Sequence, residues 1–330
     1  MLDVTKLLGW IDPKDRTNAQ NDIHAAIVKS MPYFSLGAGE TPPKGTKIVL
    51  TDTWKLPAIE KSLGHLWSGI RQLTGSCVWA GFENAAQTLN FIEVCKLKQP
   101  EAIKFAFYLY NYVRSRLMAN MRGKGEGSLG STMARSASDD GYVDARDPEL
   151  NLPAENYGKN ISYTEAIEYE WSDGTRAPAL LREKAKKNRI VSAELHSSAE
   201  IRKSIMNGYS VTRAGGVYVN PGSAGVREGA LVGRYNGRGG HQTSYLGYWH
   251  HPILGELFLD MNQWGDVYGV DPGGAAKGGC WISIDEVEGF TKSQYTEVYA
   301  LTSNESGFVE QNVFDWIKDS FQHGGLASWM

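Results

Sequence analysis

The chain has 330 residues, 42% of them hydrophobic and 11% aromatic, which suffices for one large domain or two ordinary ones. Its 34 basic and 37 acidic residues and pI near 6.2 argue against bulk electrostatic attraction to nucleic acid or an anionic membrane. Cys77, Cys95 and Cys280 form an odd, sparse set without CxxC or Cys/His spacing, so neither a disulfide framework nor a structural zinc site is expected.

Residues 1–66 read as an N-terminal arm or subdomain. A short helix is predicted over Asn21–Ser30. Pro32, Gly37, Gly39, Pro42, Pro43 and Gly45 then impose loop character before a strand-like Lys47–Leu50. From Cys77, apolar Val78, Phe82, Ala85, Ala86, Leu89 and Ile92 recur at helical spacing. A second helix is predicted from just after Pro100 to about Met121, stopped by Gly123, with Phe105, Phe107, Tyr108, Tyr110 and Tyr112 building core.

Gly123–Asp147 is rich in Gly, Ser and Asp around a short helix, Ser131–Ser138. Glu155–Asn188 reads as polar loop plus helix, and the charged run Arg182–Arg189 as a solvated helix face rather than an RNA-binding patch. Ser197-Ser198-Ala199-Glu200 is a capping-box pattern opening a helix to about Met206, ended by Gly208.

Strands are then predicted at Tyr209–Arg213, Gly216–Val219, Gln242–Trp249, Glu256–Met261, Cys280–Ile284 and Thr296–Leu301. Helices first and antiparallel strands later give an α+β chain with two facing halves. In the tail, 304–330, Phe308, Val313, Phe314, Trp316, Ile317 and Phe321 place an amphipathic helix over Gly307–Gln322. No stretch reads as a membrane span or secretory signal, so the expectation is a non-secreted protein, cytoplasmic or carried in a virus particle.

Four short motifs carry chemistry. Cys77 follows Gly75 and Ser76 at a helix start, where free amide groups and the helix dipole favour a thiolate and small residues admit a substrate backbone. An isolated cysteine is more often an inert buried hydrophobe, and Cys95 and Cys280, among apolar neighbours, read that way. His241, after Gly239-Gly240 and at the edge of a strand, is placed to act as a general base, although a surface-loop histidine fits it equally well. His250 and His251, next to Pro252, read as turn residues. Asn262 ends the next strand, so a hairpin can set its amide beside the imidazole, with Asp260 as the substitute and Trp264 as the cover. The Gln72 side chain, with the Cys77 backbone N–H, supplies donors for an oxyanion.

Gln72, Gly75-Ser76-Cys77, Gly240-His241 and Asn262-Gln263-Trp264-Gly265 together resemble the papain-like cysteine peptidases, in that family's chain order of Gln, Cys, His and Asn. Gly125-Glu126-Gly127 with the following helix resembles the family's glycine-rich subsite wall. The resemblance spans about Trp67 to Leu301. It departs from the family in the five-residue step from Gln72 to Cys77, one shorter than usual, in Val78 where a tryptophan is usual, and in lacking the family's disulfide cysteines. Residues 1–66 show no clear inhibitory propeptide pattern.

The resemblance implies a two-lobed fold over 67–303, a helical lobe (about 67–190) facing an antiparallel β-barrel-like lobe (191–303) across a cleft. It makes Cys77 the nucleophile, His241 the acid/base, Asn262 its orienter and Gln72 the oxyanion donor. Gly75, Ser76, Gly125, Gly127, Gly240 and Trp264 would line the substrate site. Peptides or proteins are the implied substrates, with no metal or organic cofactor and no nucleic acid or membrane partner. An acyltransferase or amidase of the same fold would differ only in the acceptor. The rival is a structural component of a phage or virus particle, its arm and tail reaching neighbouring subunits.

Overall fold

The computed structural model describes residues 3–98, 102–123, 125–150, 164–172, 179–293 and 295–311. Alternating apolar residues in the C-terminal half produce one large sheet, built around β6 (Tyr235–His251). Its path runs β2 (Val191–Glu194), β9 (Thr296–Thr302), β3 (Val211–Val219), β6, β7 (Gly255–Met261), β8 (Gly279–Ser283), β5 (Ala230–Val232) and β4 (Gly225–Arg227). β1 (Lys47–Val49) adds to the far end of β6, at Gly247–Trp249. Every pairing is antiparallel except a single β5–β8 contact, Val232 with Trp281.

Nine helices are described: α1 (Asn18–Ser30), α2 (Pro57–Leu63), α3 (Cys77–Phe91), α4 (Tyr108–Met118), α5 (Gly130–Asp139), α6 (Glu165–Ser172), α7 (Ala179–Ala185), α8 (Ser198–Met206) and α9 (Ile284–Thr291). α3 is the central post. All fifteen of its residues are buried, and Ser244 Oγ on β6 donates to the Gly81 carbonyl across 2.9 Å. This seam puts the start of α3 beside the stretch of β6 that carries His241.

Three expectations for the body of the chain need correction. The helix predicted from Pro100 begins only at Tyr108; Pro100 lies outside the described residues. The backbone before it is claimed by other partners: Lys104 N–H by Asn90 Oδ1, Ala106 N–H by Gln87 Oε1 and Phe107 N–H by the Val143 carbonyl, so no helical ladder can form. The two strands predicted at Tyr209–Arg213 and Gly216–Val219 are one, because Ala214 and Gly215 pair with both β6 and β9. Gly239 and Gly240, expected in a loop, lie within β6.

One hydrophobic core runs from Trp10 and Phe34 through α3 and the sheet to Phe308, so the N-terminal arm packs on the same core as the rest. Phe308 meets Phe34 and Tyr209 edge-on at 5.2 and 5.0 Å. The tail helix expected from Gly307 does not begin there: residues 307–311 are not helical, and the Val309 and Gln311 N–H groups donate to Tyr209 Oη and Asn207 Oδ1. From residue 312 the tail lies outside the described residues, as do 151–163 and 173–178 of the polar segment. No described helix is long and apolar enough to cross a membrane.

Candidate active site

Cys77 is the first residue of α3 and wholly buried. Ser76, at the N-cap position, makes no capping bond; its hydroxyl donates to Glu168 instead (2.8 Å). The amides at the helix start are therefore not spent on the cap side chain, and the positive end of the dipole faces the sulfur. The backbone N–H of Gln242 also favours a thiolate at Cys77.

His241 sits on β6 one residue earlier, paired across the sheet with Gly215 just before a bulge in β3. Its Nε2 lies 3.1 Å from Asn262 Oδ1, which also accepts from the Gln263 N–H at 2.7 Å. Asn262 Nδ2 donates to Tyr268 Oη at 2.6 Å, so the amide cannot flip without losing partners. Nε2 therefore carries the proton, and Nδ1 is the free basic nitrogen, without a hydrogen-bond partner. Trp264 stacks on the imidazole (4.4 Å between centroids, 28° between planes) and Tyr218 meets it edge-on. Asp260, the substitute orienter, is engaged elsewhere: it pairs with buried Arg213 and accepts from Tyr235 Oη.

The structure brings Gln72 to the same place, with its amide already in use. Gln72 Nε2 donates to the carbonyls of Leu7 (2.5 Å) and Thr74 (2.6 Å). Leu7 belongs to the arm. The next residues continue along the cleft: Gly9 and Trp10 N–H both donate to the Gly240 carbonyl, Ser128 N–H donates to Gly9, and Ile11 N–H donates to Ser128. The Gly9 and Trp10 amides also approach the Cys77 sulfur. Fit is close on both sides. A Cβ on Gly9 would lie 1.6 Å from the Gly75 carbonyl oxygen, and one on Gly240 would lie 1.8 Å from that of Trp10. Leu7 further packs with Tyr218 and Trp264 over the imidazole.

The arm therefore lies in the cleft of its own chain, where the sequence suggested a reach toward neighbours and no inhibitory pattern. The physical reason is this match of glycines and main-chain bonds, which leaves little trace in composition. Of the residues expected to line the substrate site, Gly127 and Gly240 face the arm backbone, Gly75 meets it through its carbonyl while its α-carbon faces Glu126, and Trp264 packs on the Leu7 side chain. Ser76 turns to Glu168, and Gly125 faces Arg116, which props the wall by donating to the Gly127 carbonyl at 2.6 Å.

No protein-family model and no curated protein sequence matches the chain. Solved structures do. Xylellain, a cysteine protease from Xylella fastidiosa, superposes with a TM-score of 0.52 at 13% identity, over 92% of this chain and 94% of that one. ProCathepsin B S9 from Trypanosoma congolense gives 0.50 at 11% identity, over 92% and 88%. The fold is papain-like.

Within this papain-like fold the site is electrostatically silent as it stands. Burial pushes the Cys77 thiol up to about 12, against the lowering effect of the surrounding amides. Burial likewise pulls His241 down to about 3, although the Asn262 bond works the other way. The pair is thus a neutral thiol and a neutral imidazole, with no hydrogen-bond partner at Nδ1 among the described residues.

Two carboxylates near the nucleophile escaped sequence reasoning. Glu168, on α6, accepts from Leu73 N–H, Thr74 N–H and Oγ1, and Ser76 Oγ, clamping the loop that leads into Cys77. Glu297, on β9, receives the arm's Trp10 and Arg16. A lone glutamate inside the otherwise apolar strand Thr296–Thr302 was the available signal. Among the described residues no group of three or more His, Cys, Asp or Glu is arranged to hold a metal ion.

Proposed function

We propose that the chain is a cysteine peptidase-like hydrolase acting on peptide bonds through Cys77, His241 and Asn262, and that residues 7–10 hold it latent. The supporting observation is the Leu7 carbonyl on Gln72 Nε2: a stretch of peptide backbone already occupies the groove, with a carbonyl on the expected oxyanion donor.

When the arm leaves, water reaches the pair, and the burial that separates the thiol and imidazole proton affinities is relieved. His241 Nδ1 then takes the Cys77 proton, and the thiolate sulfur bonds to the substrate carbonyl carbon. The oxygen's negative charge is held by Gln72 Nε2 and the Cys77 N–H at the helix start. The C–N bond breaks as His241 returns its proton to the leaving amine, giving a thioester. Water, deprotonated by the same nitrogen, then releases the acid and restores the thiol. Asn262 holds the Nε2–H and so leaves Nδ1 as the proton acceptor throughout, and Trp264, stacked on the imidazole, shields that bond from water.

The test uses Gly9→Ala, whose added methyl cannot share space with the Gly75 carbonyl and so expels the arm. In the intact protein iodoacetamide should label Cys77 more slowly than half-buried Cys95; in Gly9→Ala, Cys77 labelling should rise on the order of a hundredfold. Adding Cys77→Ala should lower peptide hydrolysis on the order of 10⁴-fold. Full peptidase activity in that double variant would sink the mechanism.

A further inference from the structure

Four residues, 73–76, separate Gln72 from Cys77, whose side-chain amide and backbone N–H are the two donors expected to hold an oxyanion. Three of the four bond to one buried carboxylate, Glu168 on α6. Its Oε1 accepts from Leu73 N–H at 3.2 Å, and its Oε2 accepts from Thr74 N–H at 3.1 Å, Thr74 Oγ1 at 2.6 Å and Ser76 Oγ at 2.8 Å. The fourth, Gly75, is held by the glycine wall, where Gly127 N–H donates to its carbonyl at 3.1 Å. Thr74, fixed through its N–H and hydroxyl, presents the carbonyl that takes Gln72 Nε2 at 2.6 Å and so sets the rotamer of that amide. Ser76 stands at the N-cap of α3, where a serine hydroxyl ordinarily accepts from an amide of the first turn. Glu168 draws it away; without that carboxylate the hydroxyl is free to turn back and cap the helix, a second arrangement of the loop.

The charge on this clamp is sensitive to protons. Among the described residues no cation bonds to Glu168, and burial pushes its carboxyl up to about 7 against the lowering effect of the four bonds. Glu83, six residues past Cys77 on α3, is wholly buried and of the same sign. Tyr169, next on α6, donates to Glu126 of the wall. Arg116, on the neighbouring α4, donates to the Gly123 and Gly127 carbonyls, and Arg71, just before the loop, lies by Gly265. A protonated carboxyl carries a hydrogen on one oxygen and accepts more weakly, so it cannot serve four donors as the ionised form does.

We propose that Glu168 is a positioning residue for the oxyanion donors: ionised, it holds residues 73–76 so that Gln72 Nε2 and the Cys77 N–H aim at one oxygen, and on taking a proton it lets the loop relax. The proposal rests on the peptidase reading above and gives its oxyanion site a proton control separate from the Cys77–His241 pair. Glu168 touches no substrate in this role. It acts through Thr74 and Ser76, and its effect falls on the transition state, where the oxyanion forms, rather than on substrate binding.

Two measurements on the full-length protein test it. The first is amide hydrogen exchange of Leu73 and Thr74, read by NMR and corrected for intrinsic rates. Protection of both amides should rise about tenfold between about pH 5.5 and about pH 8 in the wild type and stay level in Glu168→Gln. The second is hydrolysis of a fluorogenic peptide in the Gly9→Ala background. Adding Glu168→Gln should lower kcat about tenfold at about pH 8 with KM within about twofold, and the two proteins should converge near about pH 5.5. Cys77 and His241 titrate alike in both and cancel in the ratio. Ser76→Ala, which removes one of the four bonds, should give a smaller loss of kcat with the same trend. Level protection in the wild type, or an equal rise in Glu168→Gln, overturns the clamp. A kcat ratio that does not change with pH, or a loss confined to KM, overturns the positioning role. If no peptide is cut at any pH but protection follows Glu168, the proton-dependent clamp stands and the peptidase reading falls.

Discussion

Two buried carboxylates flank Cys77, and the molecule treats them in opposite ways. Glu297, on the sheet side, is matched by a cation: the Arg16 guanidinium holds its carboxyl below the usual value in spite of burial. Glu168, on the helical side, has among the described residues four hydrogen-bond donors and no cation in hydrogen-bonding contact, and burial pushes it up to about 7. Glu83, buried on α3 with neither oxygen hydrogen-bonded, is pushed well above the usual carboxylate range by burial and by the Glu168 charge. The difference is one of origin: the helical side is served by the loop that leads into Cys77, whereas the sheet side is neutralised by the N-terminal arm.

Breaking the Arg16–Glu297 pair should have the largest effect on stability. Arg16→Ala leaves a buried carboxylate without its cation, at an expected cost of about 3–5 kcal/mol. Denaturant midpoints would record that loss, and faster alkylation of Cys77 would show that it falls on the arm. Wild-type values on both would mean that the arm is held by its main-chain bonds alone.

Next comes Glu168→Gln, which sharpens the other half. A carboxyl whose folded value (about 7) exceeds its ordinary one (4.5) binds its proton more tightly in the folded state. Its contribution is fully present below pH 4.5 and is lost as pH rises through about 7, a change of about 3 kcal/mol. His241, lowered from 6.5 to about 3, works in the opposite direction over the acid range, but both proteins carry it and it cancels in the difference. Wild-type stability relative to Glu168→Gln should thus decline between pH 4.5 and 7.5, as read by thermal melts across that range. A flat difference would show that Glu168 is ionised throughout, as Glu297 is.

The smallest expected effect is that of Thr74→Val, which removes the 2.6 Å hydroxyl bond to Glu168. It should cost about 1–2 kcal/mol, more above the Glu168 titration than below it, since a bond to an ionised acceptor is the stronger one. Equal losses at both ends of the range would argue against ionisation of Glu168 within it.

Local chemistry was readable without coordinates. Helical spacing placed the start of α3 at Cys77, and alternation located β6, β7, β8 and β9 to within a few residues, apart from the early start of β6. The sequence favours Asn262 over Asp260 as the neighbour of His241, but what keeps Asp260 away is not readable from it. Asp260, within β7, is claimed by Arg213 from β3 and Tyr235 from β6, whereas Asn262 just follows the strand. The late start of α4 was hidden for a similar reason, since acceptors as far off as Gln87 and Val143 take its donors.

The sequence by itself determined which residue types could do the chemistry, their order along the chain and the elements that carry them, because periodicity and capping act over a few residues. Tertiary structure alone decided that Leu7 occupies the Gln72 amide, that Arg16 neutralises Glu297 and that Cys77 and His241 rest as a neutral pair. Each of these depends on burial and on contacts between segments 65 to 281 residues apart, and no local pattern encodes them.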